Sequence, residues 1–260
     1  MLSHVTFTGW DRHTDIHELG EFCGDHEQEL IEIAVLYSDS RSKDDADRYP
    51  QLETAVEILR AARASGQRAA VHLCGQAARA FLANPSESNA APIIALANRV
   101  QVNVPEDFWT PGPEKYRPAL AAARHGWQHP IIVQTRDVER WPDVSHLEHP
   151  VRGAARKVPF LFDRSAGTGE RSLVWPAPVP GRLVGYAGGI GPDNAAELCS
   201  WLAETAGARW WLDMETRIRE PFPVQQSLRL DHDPPAPTFL SIAKCRQVMR
   251  AVDRYFGGSK

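Results

Sequence analysis

Eight short apolar, β-branched runs, spread evenly over 260 residues, constrain this chain's fold more than anything else in it. They occupy residues 5–7, 31–37, 69–74, 99–103, 130–134, 159–163, 183–187 and 210–213. Runs of this length and composition read as strands. Helical patterns lie between several of them. Residues 52–64 place Leu52, Val56, Leu59 and Ala62 on one stripe. Residues 194–205 follow a Gly-rich turn, with Asp193 or Asn194 as the cap. Residues 242–256 form a terminal helix stopped by Gly257 and Gly258. The stretch WPDVSHLEHP, between Pro130 and Pro159, reads as loop or one short turn. Strands alternating with helices predict a parallel sheet with helices outside. Eight such units predict an α/β closed (β/α)8 TIM barrel, a single domain over residues 1–260, rather than an open doubly wound sheet. The glycines agree. An open dinucleotide-binding sheet would carry GxGxxG after its first strand, where Gly9 stands alone. The Gly-rich turns follow the sixth and seventh strands instead, at Gly167-Thr168-Gly169 and Gly188-Gly189-Ile190-Gly191.

Composition narrows the function classes. A net charge of -4 from 29 basic and 33 acidic residues excludes a strongly basic nucleic-acid binder. Ordinary apolar content excludes a disordered tail protein, and the length suffices for a large core without staples. Cys23, Cys74, Cys199 and Cys245 are scattered and form no CxxC pair, so neither a disulfide framework nor a cysteine zinc site is expected. Reduced thiols, the absence of a membrane-length apolar run and a first stretch without an apolar signal core lead us to expect a cytoplasmic protein. Twenty prolines suggest long, stiffened loops. Residues 38–48 (SDSRSKDDADR) read as a charged, mobile surface loop. No cofactor and no metal is implied. The expected partner is a small phosphorylated or carboxylated metabolite.

Reactive groups in such a barrel sit at the carboxyl ends of its strands. Asp163 ends the apolar run Phe160-Leu161-Phe162, where an acid needs a partner or a task. It either carries chemistry or caps a turn through the Ser165 or Ala166 amide. Asp213 has the same setting after Trp210-Trp211-Leu212 and reads as an acceptor for loop amides. The segment LVGYAGGIGPDN opens a helix whose unpaired amides and dipole suit a phosphate, and it can equally be a plain tight turn. His13 and His17 have the i,i+4 spacing of a helical face but read as surface histidines, and Asp231-His232-Asp233 lies in a Pro-rich loop.

These segments resemble phosphoribosylanthranilate isomerase, the barrel enzyme of tryptophan biosynthesis. FLFDRSAGTGE resembles the family's sixth-strand Asp and its Gly-rich loop. GYAGGIGPDN resembles AGGLxPxN, WWLDMETRIRE resembles VDVSSGVE, and RVQVNV resembles VQLHG. Arg48-Tyr49-Pro50 resembles the SPRYV-type loop, and VTFTGWDRHTD resembles VKICGITxxED. The resemblance spans nearly the whole chain in the right order. It implies an Amadori rearrangement, in which a phosphoribosyl-amine opens its ring and an aminoaldose becomes an aminoketose. That chemistry needs a general acid at the ring oxygen and a base for the C2' proton. By resemblance Asp163 is the acid. Gly188 and Gly189 bind the phosphate, with Asp213, Glu215 and Arg217 around it. Arg48, or its neighbour Arg41, meets the substrate carboxylate, and Asn103 stands at the family's His.

Three departures stand out. The family's base is a first-strand Cys, and that position is Thr8, a hydroxyl that needs an adjacent base to act. The family's second Ser reads Glu215, which repels a phosphate. The following Gly reads Arg217, with Arg219 beyond it, cations that restore phosphate affinity in another geometry. An isomerase with a substitute base is one reading, with Asp11 or Cys74 as the base. The others are a divergent paralogue acting on another metabolite, in a lyase or aldolase-type reaction, and a catalytically silent binding barrel.

Overall fold

In the computed structural model, eight parallel strands close a barrel. They are β1 (Leu2–Thr8), β2 (Ile31–Tyr37), β3 (Arg68–Cys74), β4 (Arg99–Asn103), β5 (Ile131–Thr135), β8 (Phe160–Asp163), β9 (Leu183–Ala187) and β10 (Arg209–Met214). The order is sequential, and β1 bonds to both β2 and β10. Each barrel strand overlaps one of the eight expected runs, so the α/β barrel expectation holds. The structure describes residues 1–42, 48–84, 88–103, 130–135, 148–151, 154–157, 159–165, 170–172, 174–222 and 238–257. Gly167-Thr168-Gly169 and Asp231-His232-Asp233 lie outside these residues.

Helices α1 (Ile16–Gly24), α2 (Leu52–Ala64), α3 (Gln76–Ala83), α4 (Ala91–Ile94), α5 (Ala195–Ala203) and α6 (Ile242–Val252) pack outside the strands. Asp15 starts α1 by accepting from the His17 and Glu18 amides. The α2 stripe is rotated from the expected one: Ala55, Ile58, Leu59 and Ala62 are buried, while Leu52 and Val56 pack at its margin. The small Ala55 lets the helix approach the sheet, so the seam runs through it. The last helix ends at Val252 and tightens into a 3-10 turn, Asp253–Tyr255, before the glycines.

Two antiparallel hairpins add to the barrel. β6 (Glu148–Val151) pairs with β7 (Ala154–Lys157), and β11 (Arg219–Pro221) pairs with β12 (Thr238–Leu240). Of the stretch WPDVSHLEHP, expected as loop or one short turn, residues 148–150 belong to β6 and the rest lies outside the described residues. A four-residue strand carrying Pro has no periodic signature to read. The described part of residues 38–48 is also more ordered than a solvated loop. The Ser38 amide donates to the Ser42 hydroxyl at 3.1 Å, and Ser42 is buried.

The barrel interior has two unlike halves. Ile132, Leu161, Leu183, Ala187 and Trp211 form one apolar cluster. His4, Thr6, Thr8, Glu32, His72, Arg99, Gln101 and Asp213 are buried polar residues, and most come from β1 to β4. Barrels are commonly filled with Val, Ile and Leu, so the polar half is the unusual feature. At its centre Arg99 pairs with Glu32, and its Nη2 donates to the Thr6 hydroxyl at 2.9 Å. The Arg99 guanidinium also lies 4.5 Å from the Trp211 ring centroid. Gly185 makes room for that indole: a Cβ there would lie 2.2 Å from Trp211 Cζ2 and 2.7 Å from Leu161 Cδ1. Gly185→Ala is expected to cost about 1–3 kcal/mol by overpacking, read as a lower denaturant midpoint at unchanged m-value. An unchanged midpoint would show that the indole has room to move.

Candidate active site

The strands' carboxyl ends bring Thr8, Cys74, Asn103, Gln134, Asp163 and Asp213 to one mouth. Thr8 is 1% exposed and donates its hydroxyl to Asp213 Oδ1 at 2.7 Å. On the other side Asp213 Oδ2 stands 3.8 Å from His72 Nε2. Burial pushes the Asp213 carboxyl up to about 8; the Thr8 hydrogen bond and Arg99 oppose this, while Glu215 and Glu32 add to it. Burial and then Arg99 push His72 down to about 3, and burial holds His4 well below the usual imidazole range. Asp213, expected as an acceptor for loop amides, therefore sits beneath the mouth as a carboxyl group that titrates near neutral pH.

These shifts set the stability profile. Asp213 has a folded pKa above its unfolded value of about 4, so its contribution is lost as pH rises towards 8. His4 and His72 have folded values below about 6.5, so theirs is lost as pH falls below that. Stability should peak near pH 6.5 and fall on both sides. Urea midpoints from pH 5 to 9 measure this, and Asp213→Asn should flatten the alkaline side and steepen the acid side, where Asp213 opposes the histidines. An alkaline fall that survives in the variant would place its cause elsewhere.

Cys74 stands at the mouth but is poorly suited to act as a base. Burial first, with Glu215 adding, pushes its thiol up to about 11, against hydrogen bonds from Asn103 and Tyr49. Asn103 Nδ2 lies 3.7 Å from its sulfur, and Gln101 Nε2 donates to Asn103 Oδ1 at 2.9 Å. Arg41 lies over the Tyr49 ring at 5.1 Å and donates to the Tyr49 hydroxyl at 3.2 Å. Asp11 is equally engaged. It pairs with the buried Arg219 at 2.5 Å and accepts from the His13 amide at 2.9 Å. Arg219 also donates to the Gly9 carbonyl at 2.5 Å, so it clamps the loop after β1 rather than facing a ligand.

Asp163 has the turn-capping geometry. Its Oδ1 accepts from the Ser165 amide at 3.0 Å and from the Ser165 hydroxyl at 2.8 Å, and Gln134 donates to its Oδ2 at 2.7 Å. Arg48 and Glu215 form an ion pair at 2.5 Å. Both reach Gly9, since a Cβ there would lie 3.5 Å from Arg48 Cβ and from Glu215 Cγ. They therefore pack beside the loop that leaves β1 just after Thr8.

The turn after β9 has left-handed glycines, Gly188 at φ 100 and Gly189 at φ 63. Asn194 organises it: its Oδ1 accepts from the Gly191 amide at 2.8 Å and its Nδ2 donates to the Gly189 carbonyl at 2.9 Å. Asn194 is the first residue before α5, yet its side chain serves the turn rather than the helix amides. Arg217 reaches this turn and pairs with Asp193 at 2.5 Å. His13 and His17 do not share a helical face, because α1 begins only at Ile16. His17 pairs with Glu21 at 3.6 Å and His13 packs edge-on to Phe222. Among the described residues there is no group of three His, Cys, Asp or Glu side chains that could hold a metal ion.

Outside the barrel a groove of about 330 Å³ is lined by Val174, Trp175, Leu198 and Trp201, with the exposed Arg171–Glu197 pair on its rim. Its lining is mainly apolar, and its two charged residues, Arg171 and Glu197, are paired with each other. His72, Glu32, Arg99 and Gln101 escaped sequence reasoning. The signal that finds them is alternation within the strands, where Arg99, Gln101 and Asn103 share one face.

No family model matches the chain, and no curated protein matches it. Among solved structures it is similar to a glycoside hydrolase family 5 enzyme from Prevotella bryantii B14. The identity is 11% and the TM-score 0.53, over 98% of this chain and 96% of that one. It also aligns with a truncated 3-deoxy-D-arabino-heptulosonate 7-phosphate synthase from Thermotoga maritima at 11% identity. There the TM-score is 0.47, over 97% of this chain and 86% of that one. The first likeness is one of fold: this chain is an α/β barrel of the (β/α)8 type. No helix among the described residues is long and apolar enough to cross a membrane.

Proposed function

We propose that this barrel is a proton-transfer enzyme working at its mouth on a small phosphorylated or carboxylated metabolite. The favoured reaction is the aldose-to-ketose isomerisation implied by the resemblance to phosphoribosylanthranilate isomerase. One observation carries the reading: the buried Asp213 carboxyl lies 2.7 Å from Thr8, the position where that family keeps its basic thiol. Asp213 is then the substitute base. With a pKa of about 8, roughly one-tenth of it is ionised at pH 7, and the ionised form is basic enough to take a carbon-bound proton. Asp163 keeps the acid role. The Gln134 amide at its Oδ2 donates to the carboxylate and, turned over, accepts from the carboxylic acid. Arg48 meets the substrate carboxylate by exchanging its Glu215 partner for the ligand, and the Gly188-Gly189 turn takes the phosphate.

A second reading has its own support. Glu215 already fills Arg48 and places a negative charge beside the anion site. This favours a divergent paralogue whose substrate carries fewer negative charges. Growth of a tryptophan auxotroph lacking the isomerase separates the two. Rescue by the wild-type gene, lost with Asp213→Asn, supports the first reading. No rescue by folded, expressed protein moves the chain to the second.

A further inference from the structure

Six buried polar atoms inside the barrel have no hydrogen-bond partner among the described residues. They are His4 Nε2, Glu32 Oε2, His72 Nε2, Arg99 Nη1, Gln101 Oε1 and Trp211 Nε1. They come from five strands, β1 to β4 and β10; five lie in the polar half of the interior, and Trp211 borders it from the apolar cluster. Buried polar atoms in native proteins are nearly always paired, so six around one compartment call for a partner. Their chemistry names its class. Arg99 Nη1 and Trp211 Nε1 only donate, Glu32 Oε2 and Gln101 Oε1 accept, and the imidazole nitrogens supply either. A single ion would want one sign throughout. A mixed set suits water, which donates twice and accepts twice.

The atoms also form a sequence in space. His72 Nε2 lies 3.8 Å from Asp213 Oδ2, too far for a direct hydrogen bond and close enough for one bridging water. His72 is in register with Gln101 on the neighbouring strand. Arg99, two residues before Gln101, holds Glu32, whose Oε1 is 3.9 Å from His4 Nε2. His4 stacks on Trp211, with centroids 5.8 Å apart, and its Nδ1 lies 3.2 Å from the Ser3 hydroxyl. Ser3 is half-buried at the opposite end of the barrel.

We propose that the polar half of the barrel holds a file of ordered waters that carries protons between Asp213 and the Ser3 end, behind the substrate. This rests on Asp213 being the acid–base group. Asp213 stands beside Thr8 at the mouth, where it meets substrate, so bound substrate seals that side. In each step the Asp213 carboxyl gives its proton to the bridging water, which passes one of its own protons to the next acceptor. One proton is transferred and no group is oxidised or reduced. The charged and titratable groups along the file are Glu215, His72, Arg99, Glu32 and His4.

The test reads the carbonyl stretch of protonated Asp213 by infrared difference spectroscopy, identified by its loss in Asp213→Asn. On transfer to D2O the wild-type band should shift at once. Gln101→Leu removes one station and should slow the shift at least tenfold in a folded protein; Gln101→Met serves if the Leu variant does not fold. A crystal structure at high resolution should place a water within hydrogen-bond distance of both His72 Nε2 and Asp213 Oδ2. An unchanged exchange rate in the variant, or a dry space at that position, overturns the file. Exchange needs no turnover, so the file and the isomerase reading fail separately.

Discussion

Asp213→Asn is expected to lower turnover by roughly a hundred- to ten-thousandfold while the barrel stays folded, the range lost with a general base. Asn keeps the shape of the side chain and can still accept from the Thr8 hydroxyl, so the hydrogen bond at 2.7 Å has a replacement. What disappears is the ionisable group. In the wild type, kcat/KM should climb as pH rises through about 8, because the base works only when ionised. In the variant that limb should vanish and the residual rate should be flat. A wild-type rate that instead falls above pH 8 would make Asp213 the acid and leave the base to be found elsewhere. Turnover within threefold of wild type would remove Asp213 from the chemistry altogether.

The barrel was legible because each strand is a short apolar run with its own turn signals, and eight of them leave few alternatives. The outer packing followed from the same runs, with a shift on α2 where Ala55 rather than Leu52 lies in the seam. The hairpin at β6 and β7 was not legible, since its pairing is set by its partner strand and not by local pattern. At the mouth, Asp163, Asp213 and Thr8 could be placed from strand ends alone. Their relations could not. That Thr8 donates to Asp213 depends on β1 closing against β10, which brings together residues 205 positions apart. The same closure gives Arg48 to Glu215 and Asp11 to Arg219, pairs that sequence reading had assigned to ligand or catalysis. The polar half of the interior was written in the alternation of RVQVN, and it lacked any motif to announce it.

The largest effect on stability is expected from breaking the ion pair inside the barrel. Arg99→Met leaves the Glu32 carboxylate fully buried without its cation, since Thr6 is its only remaining close donor among the described residues. Removing one partner of a buried pair costs about 3–5 kcal/mol, which for a chain of this size lowers Tm by roughly 6–20 °C. Met fills the space of the arginine stem, so the loss reports on charge more than on volume. Glu32→Leu in the Arg99→Met background then removes the stranded charge. Buried ion pairs replaced by apolar residues of like size are often neutral or stabilising, so the double variant should recover most of the loss. A double variant as unstable as Arg99→Met alone would mean that the pair organises the surrounding polar groups and that the whole half-interior stands or falls with it. A fully recovered double variant has a second use. Arg99 lowers both the Asp213 and His72 values, so with the arginine gone both should move up. Loss of Glu32, which raises Asp213, opposes that rise at Asp213 alone. The alkaline limb of kcat/KM should therefore stay near its wild-type position while the acid fall in stability becomes shallower, because the folded His72 value moves closer to the unfolded one. Movement of both limbs together would show that Asp213 and His72 titrate as one unit.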